Sequence, residues 1–159
     1  MNLLIVTGLS GAGKSLAMHA LEDIGFFCID NIPANLLAKL MEFAQQSENT
    51  LERVAVVLDI RGGKSSEDIL NALGQLKAGR VNYKILFLDA RNDVLERRYK
   101  ETRRRHPLME SGATIEDAVK RETELLRPLR ERADFVIDTT QLSAAKLRGE
   151  LYRLFAEKG

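Results

Sequence analysis

The chain has 159 residues, enough for one domain with a real core, and its 45% apolar and 30% charged residues are the balance of a soluble globular protein. A net charge of +1 gives the whole chain no bias toward polyanions, so any nucleic-acid site must be a local patch. The single cysteine, Cys28, excludes a disulfide framework and a four-cysteine metal site; no apolar run approaches the roughly 20 residues that span a bilayer, the N-terminus lacks a signal-peptide pattern, and a cytoplasmic chain is expected.

Five β-rich runs alternate with helical patterns. LLIVT (3–7) leads through GLSGAGKS into Ala17, Ala20, Leu21 and Ile24, an i, i+3, i+4, i+7 stripe stopped by Gly25. FFCI (26–29) follows, then Pro33 opens a second stripe of Leu36, Leu37, Leu40, Met41 and Ala44. The polar stretch 45–53 is a connector. VAVVLDI (54–60) precedes a third stripe, Ile69, Leu70, Leu73 and Leu76, with Ser65 and Asp68 at its start. KILFLDA (84–90) precedes an arginine-rich segment. Thr114 and Asp117 open a fourth pattern carrying Ile115, Val119, Glu122, Leu125 and Leu129, with Pro128 expected to kink its last turn. DFVIDTT (134–140) is the last strand, and Ser143 caps a fifth helix with Leu147, Leu151 and Leu154.

Most of these runs are continuously apolar rather than alternating. That suits strands covered on both faces, as in a parallel sheet between helices. The expected fold is α/β: three layers, α/β/α, around a mainly parallel five-stranded sheet, in a single domain over 1–159.

The segment Gly8, Leu9, Ser10, Gly11, Ala12, Gly13, Lys14, Ser15 fits the complete G-x-x-x-x-G-K-[ST] pattern between a strand and a helix. Glycine permits backbone conformations closed to residues with a Cβ, so successive N–H groups can turn inward onto phosphate oxygens. The helix that follows adds its positive end. Lys14 is expected to reach the β- and γ-phosphates and the Ser15 hydroxyl to ligate Mg²⁺, which makes this a P-loop NTPase of nucleotide-kinase-like layout.

Three carboxylates stand at expected strand ends, where open α/β sheets bind ligands. Asp59 closes VAVVLD in the manner of a Walker B strand and is read as a Mg²⁺ ligand; the alternative is a solvated Asp in the turn Asp59-Ile60-Arg61-Gly62-Gly63. Asp30 is either a general base or water-positioning group, or the cap of the following helix. Asp89 is expected to cap or salt-bridge. Asp59 to Gly62 also fits D-x-x-G, but no N-K-x-D guanine-reading motif accompanies it.

Residues 91–105 hold seven basic residues and three acids. In a small P-loop kinase this position carries a mobile lid, and Arg97, Arg98, Arg103, Arg104, Arg105 and His106 are candidates for contacts with phosphate. The other readings are a solvated helix face and a nucleic-acid patch, the latter with Tyr99 as its one aromatic residue. His19 and Cys28 are read as structural.

The blocks GLSGAGKSLAMHALEDIGFFCIDNIPANLL, VVLDIRGG, LFLDARNDVLERRYKETRRRHPL and RADFVIDTT span nearly the whole chain, and together they resemble the RapZ/YvcJ family of P-loop nucleotide-binding proteins. The resemblance implies a bacterial cytoplasmic protein that binds and slowly hydrolyses ATP or GTP with Mg²⁺. It places a second nucleotide-binding stretch at Asp59, Ile60, Arg61 and Gly62. For RapZ-type members it implies an adaptor that presents small RNAs to an endoribonuclease and thereby controls amino-sugar synthesis. A C-terminal domain tied to RNA binding and oligomerisation belongs to that pattern, and this sequence looks like the N-terminal domain alone. The catalytic set expected on these grounds is Lys14, Asp59 and Asp30. The residues taken by themselves slightly favour a small-metabolite or nucleotide kinase, and a non-catalytic module stabilised by nucleotide is the third reading.

Overall fold

The computed structural model describes residues 2–9, 11–46, 52–58, 65–102 and 114–156. Within them lie the strands β1 (Asn2–Gly8), β2 (Phe27–Ile32), β3 (Arg53–Leu58), β4 (Tyr83–Asp89) and β5 (Phe135–Asp138). The helices are α1 (Lys14–Ile24), α2 (Ala34–Gln46), α3 (Ser65–Ala78), α4 (Asn92–Thr102), α5 (Ile115–Arg132) and α6 (Ala144–Phe155). All strand pairs are parallel, in the order β2-β3-β1-β4-β5. The central strand is therefore β1, and its carboxyl end opens at the middle of the sheet.

The sheet is parallel because its strands are apolar on both sides. Leu4, Ile5 and Val6 of β1, Val54, Ala55 and Val56 of β3, and Leu86, Phe87 and Leu88 of β4 are all buried. Alternate residues of a strand face opposite sides, so such runs need cover on each. Helices α1 and α6 pack together as one group, and α2, α3, α5 and α4 pack in succession as another. Aspartate 134 joins β4 to the entry of β5: Ile85 N donates to its carboxylate at 2.8 Å, and Asp134 N donates to Ile85 O at 2.9 Å.

The caps follow the sequence. Gly25 ends α1 with φ 116°, its N–H bonded to Leu21 O and Glu22 O. Thr114 accepts from Asp117 N, and Ser143 from Lys146 N, at the starts of α5 and α6. The basic segment takes one of the forms open to it, and one core position differs from expectation. Residues 92–102 form a full helix, α4, anchored by the buried Val94 and Leu95 amid its charges. Pro128 lies inside α5, which runs on to Arg132, and Leu126 is the buried residue of that turn where Leu125 was expected.

Candidate functional site

The loop after β1 forms around three glycines with positive φ. Gly8 has φ 146°, Gly11 87° and Gly13 109°. Gly13 is the N-cap of α1, in a left-handed conformation where a Cβ is strained. The side chains of Leu9 and Ala12 are buried in the core, so these residues offer the loop interior only backbone. Leu9 N donates to Leu88 O at 3.1 Å, and Ala12 N to Leu9 O at 3.0 Å. Ser15 is exposed in the first turn of α1.

Lys14 folds back over this loop, its Nζ donating to Gly8 O at 2.9 Å. The residue as a whole is partly exposed, but its ammonium is buried, and that burial lowers its pKa from 10.5; the fields of Glu122 and Asp30 oppose that shift. Desolvation here outweighs the fields of the two carboxylates, and a bound phosphate would place further negative charge beside the ammonium. The Lys14 ammonium, the Ser15 hydroxyl and the amides of a glycine loop are the donor types that a polyphosphate carrying a divalent cation would use.

Glu122 is fully buried in α5. Its signal in the sequence was a glutamate on an otherwise apolar helical stripe, which periodicity alone reads as core. Asp30 is exposed and lies inside β2 rather than at its end, ahead of the Pro33 that precedes α2. The pairing of β2 with β3 shifts register between Ile29 and Ile32, and such an irregularity re-aims the side chains it spans. Asp30 acts on the charge of Lys14, so both sit at one end of the sheet.

Asp89 does what its strand-end position suggested. One carboxylate oxygen accepts from Ala90 N at 2.9 Å and the other from Arg130 Nε at 2.9 Å. Arg98 is placed against the loop itself. Its guanidinium donates to Gly11 O at 2.9 Å, to Thr139 O at 2.9 Å and to Thr139 Oγ1 at 3.3 Å. Arg97, its neighbour on α4, is exposed. Thr139 is buried, and its hydroxyl donates to Ala12 O at 2.8 Å. Sequence reasoning passed over Thr139, because a threonine after a strand carries no signal of which loop it will meet. Ser10, Asp59, Ile60, Arg61, Gly62, Arg103, Arg104, Arg105 and His106 lie outside the described residues. Among the described residues there is no cluster of three metal-ligating side chains, and no helix is long and apolar enough to cross a membrane.

The architecture is shared with small P-loop kinases. Shikimate kinase from Acinetobacter baumannii, solved with shikimate, superposes with a TM-score of 0.64 over 96% of this chain and 91% of that one, at 18% identity. At that identity the likeness establishes the fold. Closer relatives carry the name nucleotide-binding protein. One from Caldicellulosiruptor saccharolyticus is 50% identical over 98% of this chain and 54% of its own length. Another, from Symbiobacterium thermophilum, is 52% identical over 99% of this chain and 52% of its own. The chain thus spans about half the length of the curated relatives it matches. The RapZ-like N-terminal domain matches residues 1–159, and with these relatives it settles the lineage: the chain belongs to the RapZ-like N-terminal domain family.

Proposed function

We propose that this domain binds ATP or GTP with Mg²⁺ at the loop Gly8 to Ser15 and hydrolyses it slowly. The observation that carries the reading is Lys14, whose buried ammonium, with a lowered pKa, rests on Gly8 O at the mouth of the glycine loop. Its neighbours fit the ligand: α1 directs its N-terminus at the same point, and the relatives are named for nucleotide binding. Lys14 neutralises the β- and γ-phosphate region, loop amides orient the phosphate tail, and Ser15 with Asp59 holds the metal, which spreads the charge that builds on the transferring group. In the longer proteins of the family this would be the nucleotide-sensing part of an RNA adaptor that serves an endoribonuclease. The basic segment 91–105 and the family resemblance support that role, and homo-oligomers belong to the same reading.

A second reading is phosphoryl transfer to a small metabolite or nucleotide. Asp30 favours it: a carboxylate placed by an irregular strand near Lys14 could take the proton of an acceptor hydroxyl. One experiment divides the readings. Nucleotide turnover is measured with Mg²⁺, alone and across a panel of sugars, amino sugars and nucleosides. A slow rate unchanged by every acceptor supports the sensor, and a large acceleration by one acceptor identifies a kinase. Absence of ATP and GTP binding by calorimetry would remove both.

A further inference from the structure

We propose that Arg98 and Thr139 are positioning residues of the phosphate loop, fixing the peptide planes of Gly11 and Ala12 so that the Gly13 amide faces the ligand. The inference rests on reading this loop as a polyphosphate site, and it adds how the loop is kept in a binding shape before any ligand arrives.

Carbonyls are the wrong dipoles to show a polyanion. A loop that offers N–H groups inward must turn its carbonyls outward, and each of those needs a donor there. Four of these carbonyls have such donors. Gly8 O takes Lys14 Nζ, and Leu9 O takes Ala12 N. Gly11 O takes the Arg98 guanidinium at 2.9 Å, and Ala12 O takes the Thr139 hydroxyl at 2.8 Å. The Gly11–Ala12 peptide is thereby held at both ends, its oxygen by Arg98 and its N–H by Leu9 O. The Ala12–Gly13 peptide is held at its oxygen. Because an amide is planar and trans, anchoring that oxygen on one side aims the Gly13 N–H at the other.

The two supports are themselves braced. Arg98 grips Thr139 at both its carbonyl and its hydroxyl, and Thr139 N donates to Asp89 O at 2.8 Å. Thr139 is 3% exposed, so its bonds are screened from water. A planar guanidinium can span Gly11 O and Thr139 O together, and these are charge-assisted bonds. Lysine offers a single point of attachment on a flexible stem. The loop therefore depends on α4 and on the turn after β5, neither of which the strand-loop-helix motif contains.

The test uses Mg²⁺-tripolyphosphate as probe, with calorimetry, thermal melting and amide hydrogen exchange on the purified chain. R98A and T139V should each weaken tripolyphosphate binding by about tenfold, the worth of one good hydrogen bond to a charged or buried group. T139S keeps the hydroxyl and should bind as the parent does, while R98K should fall between parent and R98A. Exchange at Ala12, whose N–H is bonded to Leu9 O within the peptide that Arg98 holds, should be faster in R98A than in the parent, at an unchanged melting temperature. The double variant should lose no more than the worse single, since both act through one loop. Parent-like affinity and exchange in R98A and T139V would overturn the proposal, and so would strictly additive losses, which would mean that Arg98 acts on the ligand directly. A parent protein that bound no tripolyphosphate would defeat the phosphate reading, yet faster Ala12 exchange in R98A would still support the bracing.

Discussion

Gly8 of β1 faces Leu88 of β4 so closely that a Cβ on Gly8 would lie 2.3 Å from the Leu88 carbonyl oxygen and 2.8 Å from its nitrogen. The first glycine of the loop is thus demanded by the sheet itself. Both contacts are backbone, which cannot swing aside.

Gly8→Ala should therefore destabilise the fold by about 3 kcal/mol or more, by combining the clash with a positive φ of 146°. Urea denaturation measures it. A loss below about 1 kcal/mol would show that the strands can part at little cost.

Lys14→Ala should lower affinity for ATP or GTP by about ten- to a hundredfold, the worth of a charged hydrogen bond. The pH dependence has a definite sign. Burial lowers the Lys14 pKa from 10.5, against the opposing fields of Glu122 and Asp30, and a bound phosphate favours the ammonium and raises it again. Binding therefore takes up protons between the lowered and the raised value, and affinity falls as pH rises through the lowered one. In the free protein the buried ammonium is a cost below its lowered pKa, relieved as pH climbs toward 10.5. Calorimetry in buffers of different ionisation heat reads the proton uptake, which should vanish in Lys14→Ala.

The Cys28 thiol should be nearly inert. Burial, aided by the negative charge of Glu22, pushes its pKa up to about 11, so little thiolate exists at neutral pH. Its Sγ is also engaged with Met18 O at 3.5 Å. Iodoacetamide should label the native chain at pH 8 far more slowly than the chain in denaturant. Equal rates would contradict the assignment.

Arg130→Ala should cost less than about 1 kcal/mol, although it breaks a 2.9 Å ion pair with Asp89. The arginine side chain is 53% exposed, so water replaces most of what the pair supplies. A melting-temperature loss as large as that of a core truncation would show the pair to be shielded.

How much was legible in the sequence depends on the range of the interaction involved. A strand, a glycine loop and a helix in succession were readable because each is decided within a few residues: apolar runs, positive-φ glycines, and caps at Gly25, Thr114 and Ser143. The parallel class was readable too, since strands covered on both faces leave no polar alternation. Helix α4 was ambiguous because its two buried anchors, Val94 and Leu95, are outnumbered by charges. Asp30 looked like a strand end because the irregular pairing of β2 depends on its partner β3 and not on its own residues.

The order β2-β3-β1-β4-β5 belongs to tertiary structure alone, for strands of one apolar pattern do not state which neighbour each will take. So does the surround of the loop. Arg98 meets Gly11 across 87 positions of chain, and Thr139 meets Ala12 across 127. Glu122 reaches the field of Lys14 from a different helix. By itself the sequence determined that a loop of positive-φ glycines would join the first strand to the first helix; only the folded chain decided what braces that loop, because the supporting donors come from segments brought together by burial of the sheet.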